Sequence, residues 1–510
     1  MELKTGFALA IARTPRKVAI VDGNNRPTYD QWAKRVYSLA DSLRRLGVKR
    51  GDRLLIGLKN REETVSAIMA TLVIGGVAVP YNPRSGGEIV AHFIRDAGAV
   101  GIFFEASTQS ASREALSKSD GCGIRISCAM VPGDVEIDGA YALEELISSG
   151  NPEEPGEAVS GQDLAFLFYT SGTTSLPKGV AVNHEQSIAR VMFLATNHGL
   201  PYGQHHHIAG IMPLYHTVGA YSCWLTAVIY NGTYFPVPDF IPENVIALVE
   251  REAITHVFAS PTHFYMLVNS PSFCAQKMKS VRDALYAGAP MRTDLARRCA
   301  EQITENFTHI YGNTETCNSG FYRNALTKPQ ALVDGMSHLT RIVKFGGCPE
   351  DLCKPREEGE LIISMRSPES FSGYWNNADE TARRCRDGWY FTGDSAFCEP
   401  DGIWYVTGRV DDIIRSGGEN IHPEEVEQAL LKHPGVIEAV VVGIQDDKWG
   451  QAVKAFVVST KDGVTEKELD EFCLQSTLDN WKRPKKYKFV DEIPRNPSGK
   501  VLRRVLRQMD

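Results

Sequence analysis

Residues 164–180 read LAFLFYTSGTTSLPKGV, an apolar run followed at once by a loop rich in hydroxyl groups and glycine. The run LAFLF predicts a buried strand. The loop offers backbone N–H groups and hydroxyls, and Lys178 adds a positive charge at its far end, which suits a polyphosphate. It is not a Walker loop, because the pattern G-x-x-x-x-G-K-[ST] does not occur here. A flexible surface loop can have the same composition, so this stretch alone leaves both interpretations open.

Outward from this loop, between Arg26 and about Pro400, short β-rich runs alternate with segments of helical period. RLLIGL, VAVPYN, VGIFFE, THVFAS and DALYAG predict strands, whereas EETVSAIMATLVIGG and EQSIARVMFLAT predict helices. This alternation predicts an α/β fold whose β/α subdomains contain buried, largely parallel sheets. The polar stretch SSGNPEEPGEAVSGQD, just before the loop, predicts a surface connector.

The pattern changes after YVTGRVDD. HPEEVEQALLKHPG predicts a helix with Pro423 at its first position, followed by two strands, VIEAVVVG and AVKAFVVS, and a second helix, EKELDEFCLQSTL. These elements predict a small α+β domain with a core of its own. We therefore predict a large domain over residues 1–410 and a small mobile domain over residues 411–510, with the boundary at Asp411.

Composition excludes several classes of protein. The 510 residues carry a formal net charge of -7, so no overall basic field favours nucleic acid or an anionic membrane. The 11 cysteines show no CxxC spacing, which is typical of reduced thiols. The N-terminal apolar segment is interrupted by Arg13, so no secretory leader is expected. Together with the lack of a long apolar run, these features predict a cytoplasmic protein without a membrane span.

Four further motifs occur in order after the loop: YGNTET (311–316), GWYFTGD (388–394), GRVDDIIRSGGENIHPEEVE (408–427) and NPSGKVLRR (496–504). With YTSGTTSLPKGV they resemble the superfamily of adenylate-forming enzymes, which includes acyl- and aryl-CoA synthetases, amino-acid adenylation domains and firefly luciferase. Through MPLYHTVGA, FASPTHF and KRPKKY the chain is most similar to benzoate-type CoA ligases such as 4-chlorobenzoate-CoA ligase. The resemblance covers nearly the whole chain.

The resemblance implies an AMP-forming acid-thiol ligase that uses ATP, Mg²⁺ and coenzyme A. Its catalytic residues would be Lys500, His216 and Glu315, with Glu315 also positioning Mg²⁺ and Lys500 bridging the carboxylate and the α-phosphate. The resemblance implies that ATP is bound by Thr170, Ser171, Gly172, Thr173, Thr174, Lys178, Gly288, Ala289, Tyr311, Gly312, Thr314, Asp394 and Arg409.

Matching the acid pocket of the benzoate-type ligases gives a second set, which suits a flat apolar acid. Its members are Phe193, His216, Thr217, Val218, Phe258, Ala287, Gly288, Ile310, Gly312, Cys317 and Asn318. The expected CoA-binding residues are Arg84, Ser416, Gly417, Gly418, Trp449, Arg483 and Lys485, and the expected hinge is Asp411. Three positions depart from the family pattern: Ser175 in the phosphate loop, and Thr217 and Cys317 in the pocket.

The substrate predicted from this resemblance is an aryl acid of the benzoate or 4-chlorobenzoate type. The stretch MPLYHTVGAYS lacks the aspartate that pairs with an α-amine in amino-acid adenylation domains, so an amino acid is not expected. The alternatives are a ligase for short or medium aliphatic or alicyclic acids, an o-succinylbenzoate-type ligase, a stand-alone enzyme that loads a carrier protein, and a non-catalytic nucleotide-binding protein. A homodimer is expected from the habit of the family.

Overall fold

The computed structural model describes residues 1–120, 122–127, 137–170, 176–289, 291–323, 327–460, 463–476, 478–495 and 501–509. Residues 171–175, which include Ser171, Gly172, Thr173, Thr174 and Ser175, lie outside the described residues, as does Lys500. No helix in these ranges is both long and apolar enough to cross a membrane.

The α-helices of the described ranges are α1 (Leu3–Arg13), α2 (Tyr29–Arg45), α3 (Glu62–Val73), α4 (Gly87–Ala97), α5 (Gln109–Ser117), α6 (Leu143–Ser149), α7 (His184–His198), α8 (Thr226–Ile229), α9 (Pro242–Glu252), α10 (Pro261–Asn269), α11 (Thr293–Gln302), α12 (Ala378–Arg384), α13 (Pro423–Leu430), α14 (Glu466–Gln475) and α15 (Arg503–Arg507). The strands are β1 (Arg53–Gly57), β2 (Val77–Pro80), β3 (Gly101–Phe104), β4 (Ile124–Ser127), β5 (Tyr141–Ala142), β6 (Leu164–Thr170), β7 (Lys178–Asn183), β8 (His207–Gly210), β9 (Thr233–Pro236), β10 (His256–Ala259), β11 (Asp283–Tyr286), β12 (Phe307–Asn313), β13 (Cys317–Tyr322), β14 (Val333–Asp334), β15 (Thr340–Val343), β16 (Gly359–Ser364), β17 (Gly373–Tyr374), β18 (Cys385–Arg386), β19 (Trp389–Cys398), β20 (Trp404–Arg409), β21 (Ile414–Ser416), β22 (Glu419–Ile421), β23 (Val436–Asp446), β24 (Gly450–Ser459) and β25 (Lys486–Phe489).

The described residues divide into two compact units. The first is Met1–Leu339 with Ile363–Gly388, and the second is Thr340–Ile362 with Trp389–Asp510. Two stretches that precede Asp411 in the chain therefore belong to the second unit. A hinge concerns motion rather than compactness, so the boundary at Asp411 stays a prediction.

The first unit contains two sheets whose strands are mostly parallel. One has the order β17-β7-β6-β2-β1-β3-β4-β5, and the other has the order β14-β13-β12-β11-β10-β8-β9. Strands β1, β2, β3 and β10 are buried along their length or nearly so, as expected where helices cover both faces of a parallel sheet. The predicted mixed α/β class with parallel-rich sheets is confirmed.

Capping residues determine where helices α7 and α10 of the first unit begin. Helix α7 starts at Asn183, whose side chain accepts from the Gln186 N–H while the Gln186 side chain accepts from Asn183 N–H. Helix α10 starts in the same way with Ser260 and His263. Such reciprocal bonds satisfy backbone donors that the first turn leaves unpaired, so both helices begin directly after a strand.

The second unit has its own α+β core, as predicted. One sheet has the order β22-β21-β24-β23, and β25 pairs with β24. Helix α13 has Pro423 at its first position, and Val426 and Leu430 of this helix are fully buried against the sheet. Strands β15, β16, β19 and β20 belong to another sheet, in which β19 pairs antiparallel with β20.

Candidate nucleotide and acid site

The phosphate loop joins two antiparallel strands of the first unit. Thr170 ends β6 and Lys178 begins β7, and the two residues are direct partners in the ladder. The ends of the loop are thus held side by side by a hairpin. This pairing forms the base of the predicted loop. Residues 171–175 of the loop lie outside the described ranges.

Lys178 is paired with a carboxylate that the sequence did not indicate. Its Nζ lies 2.7 Å from Glu380 Oε1 of α12. Arg383 also donates to Glu380, at 2.7 Å from its Nε, and this bond together with Lys178 lowers the pKa of Glu380 to about 2. Glu380 is therefore ionised at neutral pH, and its carboxylate neutralises the charge of Lys178.

Glu315 lies in the turn between β12 and β13. Its carboxylate accepts a hydrogen bond of 2.6 Å from the Tyr374 hydroxyl, and the residue is 7% exposed. The turn is unusually tight, because a Cβ added at Gly312 would lie 1.8 Å from the Cys317 carbonyl oxygen. Only glycine therefore fits at position 312. Tyr311 and Thr314 flank it in the chain.

The predicted acid-pocket residues gather at one edge of the second sheet of this unit. Strands β8, β10, β11 and β12 are parallel neighbours, so their carboxyl ends meet at the same edge, which is the usual ligand position in such sheets. At or just after these ends lie Phe258, Ala287, Gly288, Ala289, Ile310 and Gly312, whereas His216, Thr217 and Val218 come six to eight residues after the end of β8. Gly288 has φ +87°, a conformation that suits glycine.

His216 is neutral in the folded protein, because burial lowers its pKa to about 4. It sits before a π-helix over Val218–Leu225, and Thr217 is the residue immediately preceding that helix. A neutral imidazole at this edge can face a substrate carboxylate without forming a fixed ion pair with it.

Cys317 and Asn318 begin β13 beside this edge. Cys317 is a non-glycine residue with positive φ, at 56°, and burial raises the pKa of its thiol to about 12. The thiol is therefore protonated, and it accepts from Asn318 Nδ2 at 3.3 Å. Phe193 lies on α7 and is half-buried, whereas Phe258 is fully buried, its ring centroid 6.1 Å from that of His198.

In the second unit Asp394 and Arg409 face each other across β19 and β20. They are direct partners in the ladder, and Arg409 Nη1 donates to Asp394 Oδ1 at 2.6 Å. The ion pair fixes the orientation of the carboxylate, and carboxylate oxygens are acceptors of the kind that ribose hydroxyls bind.

Part of the predicted CoA set comes together in the second unit. Gly417 and Gly418 form the turn between β21 and β22 with φ of 60° and 92°, and Gly417 N–H donates to the Trp449 carbonyl at 2.9 Å. A Cβ at Gly417 would lie 2.9 Å from the Trp449 ring, so the indole lies close against the turn next to Ser416.

The basic members of that set are placed elsewhere. Arg483 is ion-paired with Asp470 of α14, and Lys485 is exposed just before β25. Arg84 is exposed in the first unit, where its backbone N–H donates to Asn82 Oδ1 at 2.9 Å. Asp411 is exposed in a 3-10 turn over Val410–Asp412, the position predicted for the hinge.

The donor set fits Mg²⁺ as a companion of a nucleotide. Within the described residues no group of three His, Cys, Asp or Glu side chains could hold a metal ion by itself. Mg²⁺ is commonly bound through one or two carboxylates together with substrate phosphates, and it prefers oxygen ligands. The Glu315 carboxylate, with the Thr170 hydroxyl at the end of β6, is consistent with that pattern.

Two family models match the chain. One, described as AMP-binding enzyme, matches residues 7–375, and the other, described as AMP-binding enzyme C-terminal domain, matches residues 425–500. The chain belongs to the AMP-binding enzyme family. The resemblance to adenylate-forming enzymes is thereby confirmed.

Relatives of known name support the same assignment over the full length. The chain is 36% identical over 519 residues to a 4-chlorobenzoate-CoA ligase of Arthrobacter sp., covering 99% of this chain and 95% of the relative. It is 30% identical to the long-chain-fatty-acid-CoA ligase FadD13 of Mycobacterium tuberculosis over 97% of this chain and 96% of the relative. A solved structure of o-succinylbenzoate coenzyme A synthetase from Bacillus subtilis, in complex with ATP and magnesium ion, has a TM-score of 0.86 and 27% identity, covering 98% of this chain and 99% of that one. This member of the AMP-binding enzymes is an acyl- or aryl-CoA ligase, and identities of this order leave its acid open.

Sequence reasoning missed the residues that support the site from behind. Glu380, Tyr374 and Arg190 all contact a predicted site residue or its backbone. The one available signal was Arg190, a charged residue on the face of α7 that also carries Ile188, Val191 and Leu194.

Proposed function

We propose that this CoA ligase activates an aryl acid of the benzoate type. The enzyme uses ATP, Mg²⁺ and CoA. The observation that carries the proposal is the neutral His216, whose pKa burial lowers to about 4, together with the buried apolar Phe258 and Ala287 at or just after the carboxyl ends of β10 and β11. We expect these residues to line a mostly apolar pocket, and such a pocket with few polar groups favours a flat acid.

In the first step a carboxylate oxygen of the acid attacks the α-phosphorus of ATP. The bond from that phosphorus to the oxygen bridging to the β-phosphate breaks, and pyrophosphate leaves with its electron pair. Two anions approach each other, so neutralisation of charge is the main requirement. Lys178, Thr170 and the loop 171–174 would hold the leaving phosphates, and Lys500 would bridge the attacking carboxylate and the α-phosphate.

Residues of several sequence motifs would bind the ribose, the base and the phosphates of the nucleotide. Asp394, oriented by Arg409, would accept from the ribose hydroxyls, and Tyr311 would lie against adenine with Gly288, Ala289, Gly312 and Thr314 around the base and phosphates. Mg²⁺, when bound with ATP, offsets phosphate charge. Glu315 would position it.

In the second step the sulfur of CoA attacks the acyl carbon of the adenylate. The carbon–oxygen bond to AMP breaks, AMP leaves, and the thiol proton is released. Ser416, Gly417 and Gly418 would let the pantetheine pass close to the backbone, since glycine presents no side chain there. Trp449 would support this turn, and Arg84, Arg483 and Lys485 would meet the CoA phosphates. Rotation about Asp411 would exchange the faces used in the two steps.

A panel of acids tests the substrate. Pyrophosphate release is measured with and without CoA for benzoate, 4-chlorobenzoate, 2-succinylbenzoate, cyclohexanecarboxylate, hexanoate and palmitate. We expect the benzoates to exceed the aliphatic acids in kcat/KM by about tenfold or more, because a pocket shaped for a ring loses contact with a flexible chain.

Other outcomes identify the alternatives. A preference for hexanoate, cyclohexanecarboxylate or 2-succinylbenzoate would show that the proposed substrate class is wrong. The proposed ligase reaction would still stand. Pyrophosphate without thioester would favour loading of a carrier protein. If no acid released pyrophosphate, the catalytic proposal itself would fall. A homodimer and a cytoplasmic location stay predictions.

Glu380 provides a test of the phosphate site. Because Glu380 competes with phosphates for Lys178, we expect Glu380→Gln to lower the KM for ATP about two- to fivefold, the range set by a partly exposed ion pair. Steady-state kinetics with saturating acid and CoA measure it. Asp379→Asn, which removes one charge from an exposed position of the same helix, is the matched control. A raised KM for ATP would mean that Glu380 orients Lys178 rather than competing for it.

A further inference from the structure

A cluster of ionisable side chains lies behind the Glu315 turn, inside the first unit. Its members are Arg190 of α7, Glu369 and His338, and no role in the proposed chemistry uses them. The side chains of Glu369 and His338 are 0% exposed, and Arg190 is also 0% exposed. Burial of so much polarity needs a compensating set of contacts.

Arg190 connects two separate segments through their backbone. Its Nε donates to the Glu369 carbonyl at 2.9 Å, and its Nη2 donates to the Glu315 carbonyl at 3.1 Å. The guanidinium carbon lies 5.3 Å from the centroid of the Tyr221 ring, within range of a cation-π contact. The rigid planar guanidinium thus sets the distance between residue 315 and residue 369.

The segment that begins at Glu369 also makes two hydrogen bonds to Glu315. Phe371 N–H donates to the Glu315 carbonyl at 2.7 Å, and the Tyr374 hydroxyl donates to its carboxylate at 2.6 Å. Glu315 is therefore held by its carbonyl and by its carboxylate from one short segment. Arg190 holds both that segment and Glu315 itself.

The rest of the cluster holds the adjacent part of the turn. His338 Nε2 donates to the Thr316 carbonyl at 2.9 Å, and burial lowers the pKa of His338 to about 4, so the ring is neutral. Glu369 accepts from the Ser337 hydroxyl, and burial raises the pKa of Glu369 to about 8. The charge of Arg190 is thus met chiefly by peptide carbonyls and an aromatic face.

The cluster is sealed from solvent, which excludes a direct role toward a ligand. Arg190 Nη1 and Glu369 Oε2 are both inaccessible to water, and neither has a hydrogen-bond partner in the part of the chain that the structure describes. A substrate could not reach these atoms without unpacking α7. The role that remains for the cluster is to support the β12–β13 turn that contains Glu315.

We propose that Arg190 is a positioning residue for Glu315, tying the 369–374 segment to the β12–β13 turn so that the Glu315 carboxylate meets Mg²⁺ bound to ATP. The inference rests on the proposed role of Glu315 toward that ion. Partners that orient a metal-binding carboxylate typically contribute 10–100-fold to metal affinity. A small displacement of such a group also reduces the rate of the step that it serves.

Titration calorimetry on the full chain tests this without turnover. Dissociation constants are measured for ATP with excess Mg²⁺ and for ATP with EDTA, in the absence of acid and CoA. For Arg190→Met we expect the MgATP constant to rise about 10–100-fold and the constant in EDTA to change less than about twofold. Arg190→Lys, which keeps the charge and loses the planar pair of donors, should give an intermediate rise.

Two further variants keep the test decisive. Tyr374→Phe removes one hydroxyl from the Glu315 carboxylate and little packing, and should also weaken MgATP selectively. Ser187→Ala is the matched control, since Ser187 is fully buried one turn earlier on the same helix and bonds Asn183 and Tyr221, not Glu315. Its two constants should equal those of the parent. Thermal unfolding identifies any variant that is not folded, and Tyr374→Phe and Arg190→Lys then carry the comparison.

Glu315→Gln separates failure of the inference from failure of the proposed function. If Glu315→Gln binds MgATP as the parent does, Glu315 has no role toward the ion, and the inference falls with that assignment. If Glu315→Gln weakens MgATP while the folded Arg190 and Tyr374 variants bind it like the parent, the positioning role is overturned and the proposed function stands. A loss that is equal with Mg²⁺ and with EDTA would also overturn it, because that pattern indicates general loosening of the nucleotide site.

Discussion

Lys500→Ala is expected to reduce acyl-adenylate formation by about 10²-fold or more and to leave thioester formation from supplied acyl-adenylate and CoA nearly unchanged. The lysine offsets two anions that must approach in the first step, whereas in the second step the phosphate is already esterified. The following helix supports this assignment. Arg503 and Arg507 of α15 pair with Asp412 at 3.5 and 2.8 Å, so the chain just after Lys500 is anchored next to the proposed hinge residue.

The measurement is made on each half-reaction. Pyrophosphate release reports the first, and thioester formed from synthetic adenylate reports the second. Lys467→Ala is the matched control, because it removes an equal charge from a side chain that is 85% exposed in the same unit. Equal losses in the two half-reactions would contradict the proposed alternation of the C-terminal domain.

Acidification is expected to destabilise the first unit strongly between pH 6.5 and 4. Burial lowers the pKa of several of its histidines, so they stay neutral when folded and bind a proton once unfolded. Among the described residues the pKa values are about 4 for His184, His206, His216, His309 and His338, and about 3 for His198.

The direction follows from the proton balance. A histidine with a depressed pKa contributes stability above pH 6.5, its unfolded value, and that stability is lost as pH falls toward 4. At pH 5 each histidine has lost on the order of 2 kcal/mol of this contribution, and the summed loss is comparable with the stability of an ordinary domain. Three carboxyls of this unit act in the opposite sense, because burial raises the pKa of Glu62 to about 7, that of Glu369 to about 8 and that of Glu63 as well. Stability from these three is lost as pH rises from about 4.5, and the six histidines outnumber them.

Scanning calorimetry at pH 7.5, 6.5, 5.5 and 5.0 measures the effect. As pH falls, the unfolding temperature of the first unit should decrease markedly. That of the second unit should decrease less, since all six histidines lie in the first unit. His309→Gln should reduce the change of the first unit's unfolding temperature with pH. His205→Gln, at an exposed position, should leave that change as it is. A midpoint for the first unit that is constant from pH 7.5 to 5.0 would contradict the prediction.

The sequence predicted the strand LAFLFYT, the helix at Pro423 and the α/β class, because each rests on local periodicity and capping. It also indicated Lys178 and Glu315 through motifs that place charge beside glycine. Roles within those motifs came from the resemblance to a family, since spacing alone does not tell a turn aspartate such as Asp394 from a ribose acceptor.

Sequence reasoning did not reach contacts made across the fold. The pair of Lys178 with Glu380 and the bond from Tyr374 to Glu315 join residues far apart in the chain, and no periodicity encodes them. The same holds for residues 340–362, which pack with the second unit although they precede Asp411. Such pairings depend on which sheet edges meet, and the sequence pattern does not specify that.

The ion pair at the base of the phosphate loop bears on selectivity among anions in the cell. Because Lys178 already has Glu380 as its neighbour at 2.7 Å, a small anion such as inorganic phosphate or sulfate gains little by displacing that carboxylate. If Lys178 binds the phosphates of ATP as proposed, ATP brings several charges and the contacts of its ribose and base, which we expect to outweigh the lost pair. Small anions would then compete poorly with ATP for this site.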